Sequence, residues 1–212
     1  MVENDRHKRK FKDFVYKTAI DINSPQILEF GVSERGMSTE LFLEICHKNN
    51  GYMISVDAND NVKKFDSNKW KFVNCRDDNF DQVKNIIGEK IFDIIYLDTT
   101  HKANHVHKIL FFYYDFLKPK GYFFIDDTSW FTYTKNREKN NFSIEINNYE
   151  TFEKLTEIHS NNHQNFDLEF SFVGTGVAKL KKLNDNKLNP HIKTLSRINS
   201  FKNLFRKFVL KI

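Results

Sequence analysis

The stretch Ile27 to Thr39, Ile-Leu-Glu-Phe-Gly-Val-Ser-Glu-Arg-Gly-Met-Ser-Thr, constrains the fold more than any other part of the chain. It begins apolar, passes through Gly31 and Gly36, and ends in Ser38-Thr39. Beyond it, Leu41, Phe42 and Ile45 recur at helical spacing. That order predicts a strand, a tight glycine turn and a helix start. Glycine lets the backbone turn sharply and lets a ligand lie directly on it. The new helix offers unpaired N–H groups and a positive dipole end above the turn. A second apolar run, Tyr52 to Val56, ends in Asp57. Strand, glycine turn, helix, strand and acid form the layout of a nucleotide-type ligand site in a parallel sheet, with the acid placed for ribose hydroxyls.

Many strand-helix-strand units carry glycines for packing alone, so spacing leaves both uses open. The turn is not the dinucleotide Gly-x-Gly-x-x-Gly, because position 29 is Glu and position 33 is Ser. It resembles the first motif of class I S-adenosylmethionine-dependent methyltransferases, Glu-x-Gly-x-x-x-Gly. By that resemblance Glu29, Gly31, Ser33, Gly36 and Ser38 belong to the cofactor site, with Asp57 as the ribose acid.

A chain of 212 residues fits one domain with a full three-layer core. The formal charge is +5, but 33 basic and 28 acidic residues are interspersed, so nucleic-acid binding does not follow. With only Cys46 and Cys75, a disulfide scaffold is not expected and a reducing cytoplasm is the default. No apolar run approaches the roughly 20 residues that span a bilayer, and the charged N-terminus lacks a signal-peptide core.

Residues 1–22 read as a helical cover, with Phe11, Phe14, Val15 and Ile20 near helical spacing and the basic cluster Arg6 to Lys12 as a solvated face. Lys71 to Cys75 is a short strand. Arg76, Asp77 and Asp78 after it either cap a helix or approach an adenine ring. Gln82 to Lys90 reads as a helix closed by Gly88. Phe92 to Leu97, ending in Asp98, and Tyr122 to Ile125, ending in Asp126-Asp127, are near-continuous apolar strands of a parallel sheet. Between them a helix runs through Leu110, Phe112 and Phe116 to Lys118-Pro-Lys-Gly121. This alternation predicts an open, doubly wound α/β sheet. Residues 131–148 are polar and read equally as a lid or a plain insertion, with a helix at Phe152 to Ile158. Leu168 to Val173 and Val177 to Leu180 read as a hairpin across Gly174-Thr-Gly176. Residues 1–185 are expected to form one domain. Residues 186–212 follow as a basic amphipathic helix that packs on its own domain or a second subunit; lying on an anionic membrane is the less favoured alternative.

Asp98, Asp126 and Asp127 all fall at strand ends, where open parallel sheets bind ligands. Ends of neighbouring strands lie about 5 Å apart. Carboxylates that close repel one another unless a cation intervenes, and oxygen-only ligands suit a hard ion such as Mg²⁺. The competing reading is a helix cap or turn. Here the chain again resembles a family. Asp98-Thr-Thr-His101, a helix, then Phe116-Leu-Lys-Pro-Lys-Gly-Tyr-Phe-Phe-Ile-Asp-Asp-Thr128 is similar to metal-dependent O-methyltransferases of the macrocin, cephalosporin-hydroxylase and rhamnosyl types. The resemblance covers residues 25–182 and departs at Lys120, where a glycine is usual.

It implies a Rossmann-like, mostly parallel seven-stranded sheet with an antiparallel edge pair. It also implies S-adenosylmethionine as cofactor near Asp77 and Asp98, Mg²⁺ on Asp98, Asp126 and Asp127, and His101 as base. His105 and His107 are expected at the surface or in packing, and Trp130 as an acceptor wall or core residue. The implied activity is O-methylation of a small hydroxylated acceptor such as a sugar. The alternative from another class is a catalytically silent cofactor-fold module that serves in assembly.

Overall fold

The computed structural model describes residues 8–129, 142–189 and 200–210. Seven strands alternate with helices: β1 (Gln26–Phe30), β2 (Tyr52–Asp57), β3 (Trp70–Asn74), β4 (Phe92–Leu97), β5 (Leu117–Asp126), β6 (Phe166–Ser171) and β7 (Val177–Lys182). The helices are α1 (residues 8–19), α2 (Met37–Lys48), α3 (Phe80–Ile87), α4 (Ala103–Tyr113), α5 (Phe142–Asn162) and α6 (Phe201–Leu210). The strands form one sheet in the order β3-β2-β1-β4-β5-β7-β6. Pairs from β3 to β5 are parallel, and β7 joins β5 and β6 antiparallel. The order reverses between β1 and β4, where the chain leaves the sheet in opposite directions and opens a crevice beyond the strand ends. This is the Rossmann-like sheet that the strand pattern and the resemblance predict.

The central strands are apolar because both their faces are covered. On one face α3, α4 and α5 bring Val83, Ile87, Val106, Ile109, Leu110, Leu155 and Ile158 into a buried cluster. On the other, α1 and α2 bring Phe11, Val15, Ala19, Phe42 and Ile45. Phe11 packs edge-on against Phe42 and Tyr96, with ring centroids 5.0 and 5.6 Å apart. Within α1, Phe11–Tyr16 is π-helical, a widened turn that begins directly after Lys10. Cys46 and Cys75 are buried and unpaired.

The structure departs from the sequence pattern at three places. The helix expected at Phe152 to Ile158 is α5, which starts at Phe142. Residues 142–148 are therefore helical, while 131–141 and Trp130 lie outside the described residues. Polar composition hid this start. Asn148 is buried, and its amide, oriented to donate, reaches the carbonyls of Ile144 at 3.0 Å and Asp127 at 2.9 Å. The strand expected from Tyr122 begins at Leu117, with Lys120 in the left-handed region at φ 66°. The apolar face of α6 is not packed on its own domain: Phe201 and Phe208 are 93% and 84% exposed. Among the described residues no helix is long and apolar enough to cross a membrane.

Candidate active site

The turn after β1 is built from below. Glu29 is fully buried, and its carboxylate accepts hydrogen bonds from Ser38 (2.7 Å), Thr39 (2.8 Å) and Ser55 (2.6 Å). Burial pushes its carboxyl up to about 7, against the pull of those hydroxyls. Glu29 thus ties the first turn of α2 to β1 and β2 from beneath the crevice, and Ser38 spends its hydroxyl on it. Gly31, at φ 94°, lies so close to β4 that a Cβ there would stand 2.0 Å from the Asp98 carbonyl oxygen. No side chain fits at that crossing. Ser33 is also left-handed, at φ 61°, and its hydroxyl accepts from the Gly36 amide at 3.3 Å.

Asp57 ends β2 and fixes the turn from the side. Its carboxylate accepts from the Val32 amide (2.8 Å) and the Asn59 amide (2.8 Å). Gly31, Asp57, Arg76, Asp77, Asp98 and Thr99 line a cavity of about 140 Å³ above the turn. Asp77 is 7% exposed and accepts from Thr99 at 2.5 Å, with His105 Nε2 at 2.7 Å from the same oxygen. Asp78 instead pairs with Arg76 through two contacts of 2.7 and 2.9 Å. His105 therefore packs, as its position in the sequence implies, but it packs on the cavity wall.

A second cavity, of about 160 Å³, adjoins on the other side of Asp98 and is lined by Lys10, Ser33, Ser38, Tyr96, Asp126 and Asp127 among others. Asp98 lines both cavities, so the glycine turn and the strand-end acids open onto one rim. His101 stands over it, with Nε2 3.6 Å from Asp98 Oδ1 and 3.4 Å from Asp127 Oδ2. Removal from water, then the Asp126 and Asp127 charges, raise the Asp98 carboxyl well above the usual range, with Lys10 opposing.

Two groups at this site carried no functional signal in the sequence. Lys10 was counted with a solvated basic cluster, yet its side chain is 3% exposed and its ammonium donates to Asp126 Oδ1. It also donates to Thr175 Oγ1 at 2.7 Å and lies 3.8 Å from Asp127 Oδ1. Burial works against its charge, but the Asp126 and Asp127 carboxylates outweigh that and hold Lys10 above the usual lysine range. Asp126 Oδ2 accepts from Tyr96 OH at 3.2 Å. The second group is the turn between β6 and β7. Its Gly176 carbonyl accepts from the Asp127 amide at 3.0 Å, and its Thr175 carbonyl from the Ser129 amide at 2.8 Å. Asp127 itself is left-handed, at φ 57°.

The fold and this rim define a methyltransferase domain. Residues 28–128, just under half of the chain, match a family model described as methyltransferase domain. Solved structures agree on the fold. A candidate caffeoyl-CoA O-methyltransferase from Staphylococcus aureus superposes with a TM-score of 0.60 at 15% identity, covering 80% of this chain and 81% of that one. The methyltransferase PaMTH1 of Podospora anserina, bound to SAH, gives 0.55 at 14% identity over 80% and 76%. MycE of the mycinamycin pathway, solved with Mg, SAH and mycinamycin VI, gives 0.54 at 18% identity. The match covers 91% of this chain but only 51% of MycE. No curated protein matches the chain by sequence.

Asp98, Asp126 and Asp127, the acids that the resemblance assigns to Mg²⁺, meet at one cavity, where a divalent ion would compete with the partners they already have. An ion of that kind takes several oxygens at about 2.0–2.6 Å, and here both Asp126 oxygens are engaged by Lys10 and Tyr96. Among the described residues, the one group of three acid or histidine ligands with atoms within 4.8 Å of one another is Asp77, Asp78 and His105. Those atoms already face Thr99 and Arg76. Strand order brought the acids to one rim, as the sequence implied; α1, whose basic residues looked solvated, brought a cation to them.

Proposed function

We propose that this protein is an S-adenosylmethionine-dependent O-methyltransferase of a small hydroxylated molecule, a sugar hydroxyl being one candidate acceptor. The observation that carries it is the shared rim: the cavity over Gly31 and the Asp98–His101–Asp127 cluster meet at Asp98. When bound, the cofactor supplies a methyl group on a positively charged sulfur. Asp57, at the end of β2, faces the cavity with lone pairs left for ribose hydroxyls, and Asp77 forms the wall where the base would lie. A cavity lined by Asp57, Asp77 and Asp98 suits a cationic ligand.

The acceptor hydroxyl is a poor nucleophile until it loses its proton. His101 Nε2 makes no hydrogen bond to Asp98 or Asp127 at 3.6 and 3.4 Å, and a neutral imidazole in the matching tautomer can take that proton. The imidazolium so formed lies 3.4 Å from Asp127 Oδ2. The acceptor oxygen bonds to the methyl carbon as the carbon–sulfur bond breaks, leaving a methyl ether, the neutral thioether and a proton on His101. Much of the remaining acceleration comes from holding oxygen and carbon at attack distance. The unpaired Cys46 and Cys75 support a reducing compartment as the setting.

The test is His101→Asn, with S-adenosylmethionine and S-adenosylhomocysteine binding measured by calorimetry and turnover by labelled methyl transfer to a panel of hydroxylated acceptors. Turnover should fall about 10²–10⁴-fold while cofactor affinity stays nearly constant. Equal loss of both would remove the base role. A wild-type protein that binds neither cofactor form would favour the silent assembly module.

A further inference from the structure

We infer that the Lys10 ammonium is the resident cation of the acidic cluster, and that this chain works without a divalent ion at Asp98, Asp126 and Asp127. The inference rests on the cleft being a methyl-transfer site. It is carried by where Lys10 comes from and by what holds it there.

Three carboxylates converge on one rim, and two of them, Asp126 and Asp127, are adjacent in sequence at the end of β5. Such a set needs positive charge. The chain supplies it from 116 residues away, by threading the first turn of α1 across the sheet's end. The delivery is rigid. Phe11 and Val15, both within the π-helical segment, are 2% and 1% exposed in the core beneath. Thr175 holds the ammonium from the opposite side. A lysine that merely neutralised a surface carboxylate would keep its rotamer freedom; this one is 3% exposed with its donors directed at Asp126 and Thr175. A divalent ion on the same oxygens would have to expel it or sit against a like charge in a poorly hydrated space.

The substitution also changes what the cluster can do. An ammonium is a compact point charge with three donors and no fixed coordination number. It can hold Asp126 while leaving Asp127 Oδ2 and Asp98 Oδ1 to face His101. Lys10 is thus a positioning residue: it fixes the acids that flank the base, and it offers no open coordination site to an acceptor oxygen. Acceptors that need two adjacent oxygens for chelation gain no advantage here over single hydroxyls.

The experiment titrates Mn²⁺ into the full-length protein saturated with S-adenosylhomocysteine, reading free Mn²⁺ by electron paramagnetic resonance. Wild type is compared with Lys10→Met and with Lys10→Met/Asp126→Asn. Wild type should show no stoichiometric Mn²⁺ binding, and EDTA should leave its methyl transfer unchanged. Lys10→Met should gain one site at least about tenfold tighter than any in wild type, since a like charge has left the oxygens. The double variant, which removes one acid with its partner, should lose most of that gain. Stoichiometric Mn²⁺ binding by wild type, unweakened relative to Lys10→Met, would overturn the inference, and so would abolition of wild-type turnover by EDTA. Should Lys10→Met not fold, the wild-type titration and the EDTA assay decide alone. Failure to bind S-adenosylhomocysteine, seen separately by calorimetry, would instead count against the methyl-transfer reading.

Discussion

At the residue scale the same side chains that resemble a family motif can serve it from an unexpected side. Glu29 is the example. Its spacing from Gly31 and Gly36 marks the motif, but every residue from Ile27 to Phe30 is buried, so no alternation says which way Glu29 points. It points under the turn, where Ser38, Thr39 and Ser55 close over it. This has a measurable consequence. The carboxyl is raised from its ordinary 4.5 to about 7 by burial. A raised folded-state value means the native protein keeps the proton longer than the unfolded chain. Its contribution to stability is therefore fully present below about pH 4.5 and lost as pH rises through about 7. The whole swing is about 3 kcal/mol. In Glu29→Gln the group is neutral throughout, so urea unfolding of the variant relative to wild type should shift in the variant's favour by about that amount across this window. Parallel pH profiles for the two proteins would show that Glu29 stays ionised. Lys10 was illegible for a different reason: charge counted along a sequence says nothing about which of the five neighbouring lysines and arginines turns inward.

At the element scale the sheet was legible because its signals are strong. Apolar runs of the central strands, with β2, β4 and β5 each ending in an acid, allow few alternatives, and glycines at Gly31 and Gly36 punctuate the first crossover. The ends of elements were legible only where the chain changes character. Residues 142–148 read as loop because Asn147 and Asn148 look like loop residues, yet a buried asparagine whose donors are satisfied is compatible with a helix. The last helix shows the opposite case. Its amphipathic pattern was plain in the sequence, but amphipathicity does not name a partner. In α6, Leu204, Phe205 and Val209 are 51%, 69% and 57% exposed, so the domain gains little from it. Ending the chain after residue 199 should change the stability of the rest by no more than about 0.5 kcal/mol. Solubility should rise with the loss of an exposed apolar stripe. Urea denaturation of the shortened protein checks this, and a loss of several kcal/mol would mean that α6 packs on the domain after all.

At the scale of the whole molecule, the site exists only because distant segments close on one rim. Lys10 arrives from α1, Asp98 and His101 from the end of β4, Asp126 and Asp127 from the end of β5, and Thr175 from the turn that links the antiparallel edge strands. Antiparallel pairing of β5 with β7 is what makes the last contribution reach: Asp126 lies opposite Val177, so the preceding turn folds back over the acids. A one-residue slip there would misplace both Thr175 and the Asp127 amide bond. Gly176 is where this coupling can be tested. It lies at φ 80°, and a Cβ added there would stand 2.3 Å from the Ser129 amide nitrogen and 2.6 Å from its Cα. Neither atom is the end of a flexible side chain, so the backbone at 127–129 has to move. Gly176→Ala should therefore cost about 1–3 kcal/mol of stability from strain alone. Below the unfolding transition, where the variant is still fully folded, turnover should fall at least about tenfold, since a shift of about 1 Å at positioned groups can cost on the order of 100-fold. Cofactor affinity should hold, because the Gly31 turn and Asp57 lie at the ends of β1 and β2, with β4 between them and β5. Measuring turnover and S-adenosylhomocysteine binding on the same folded sample separates the two. A variant that is destabilised but fully active would show that the edge turn supports the sheet without setting the acids.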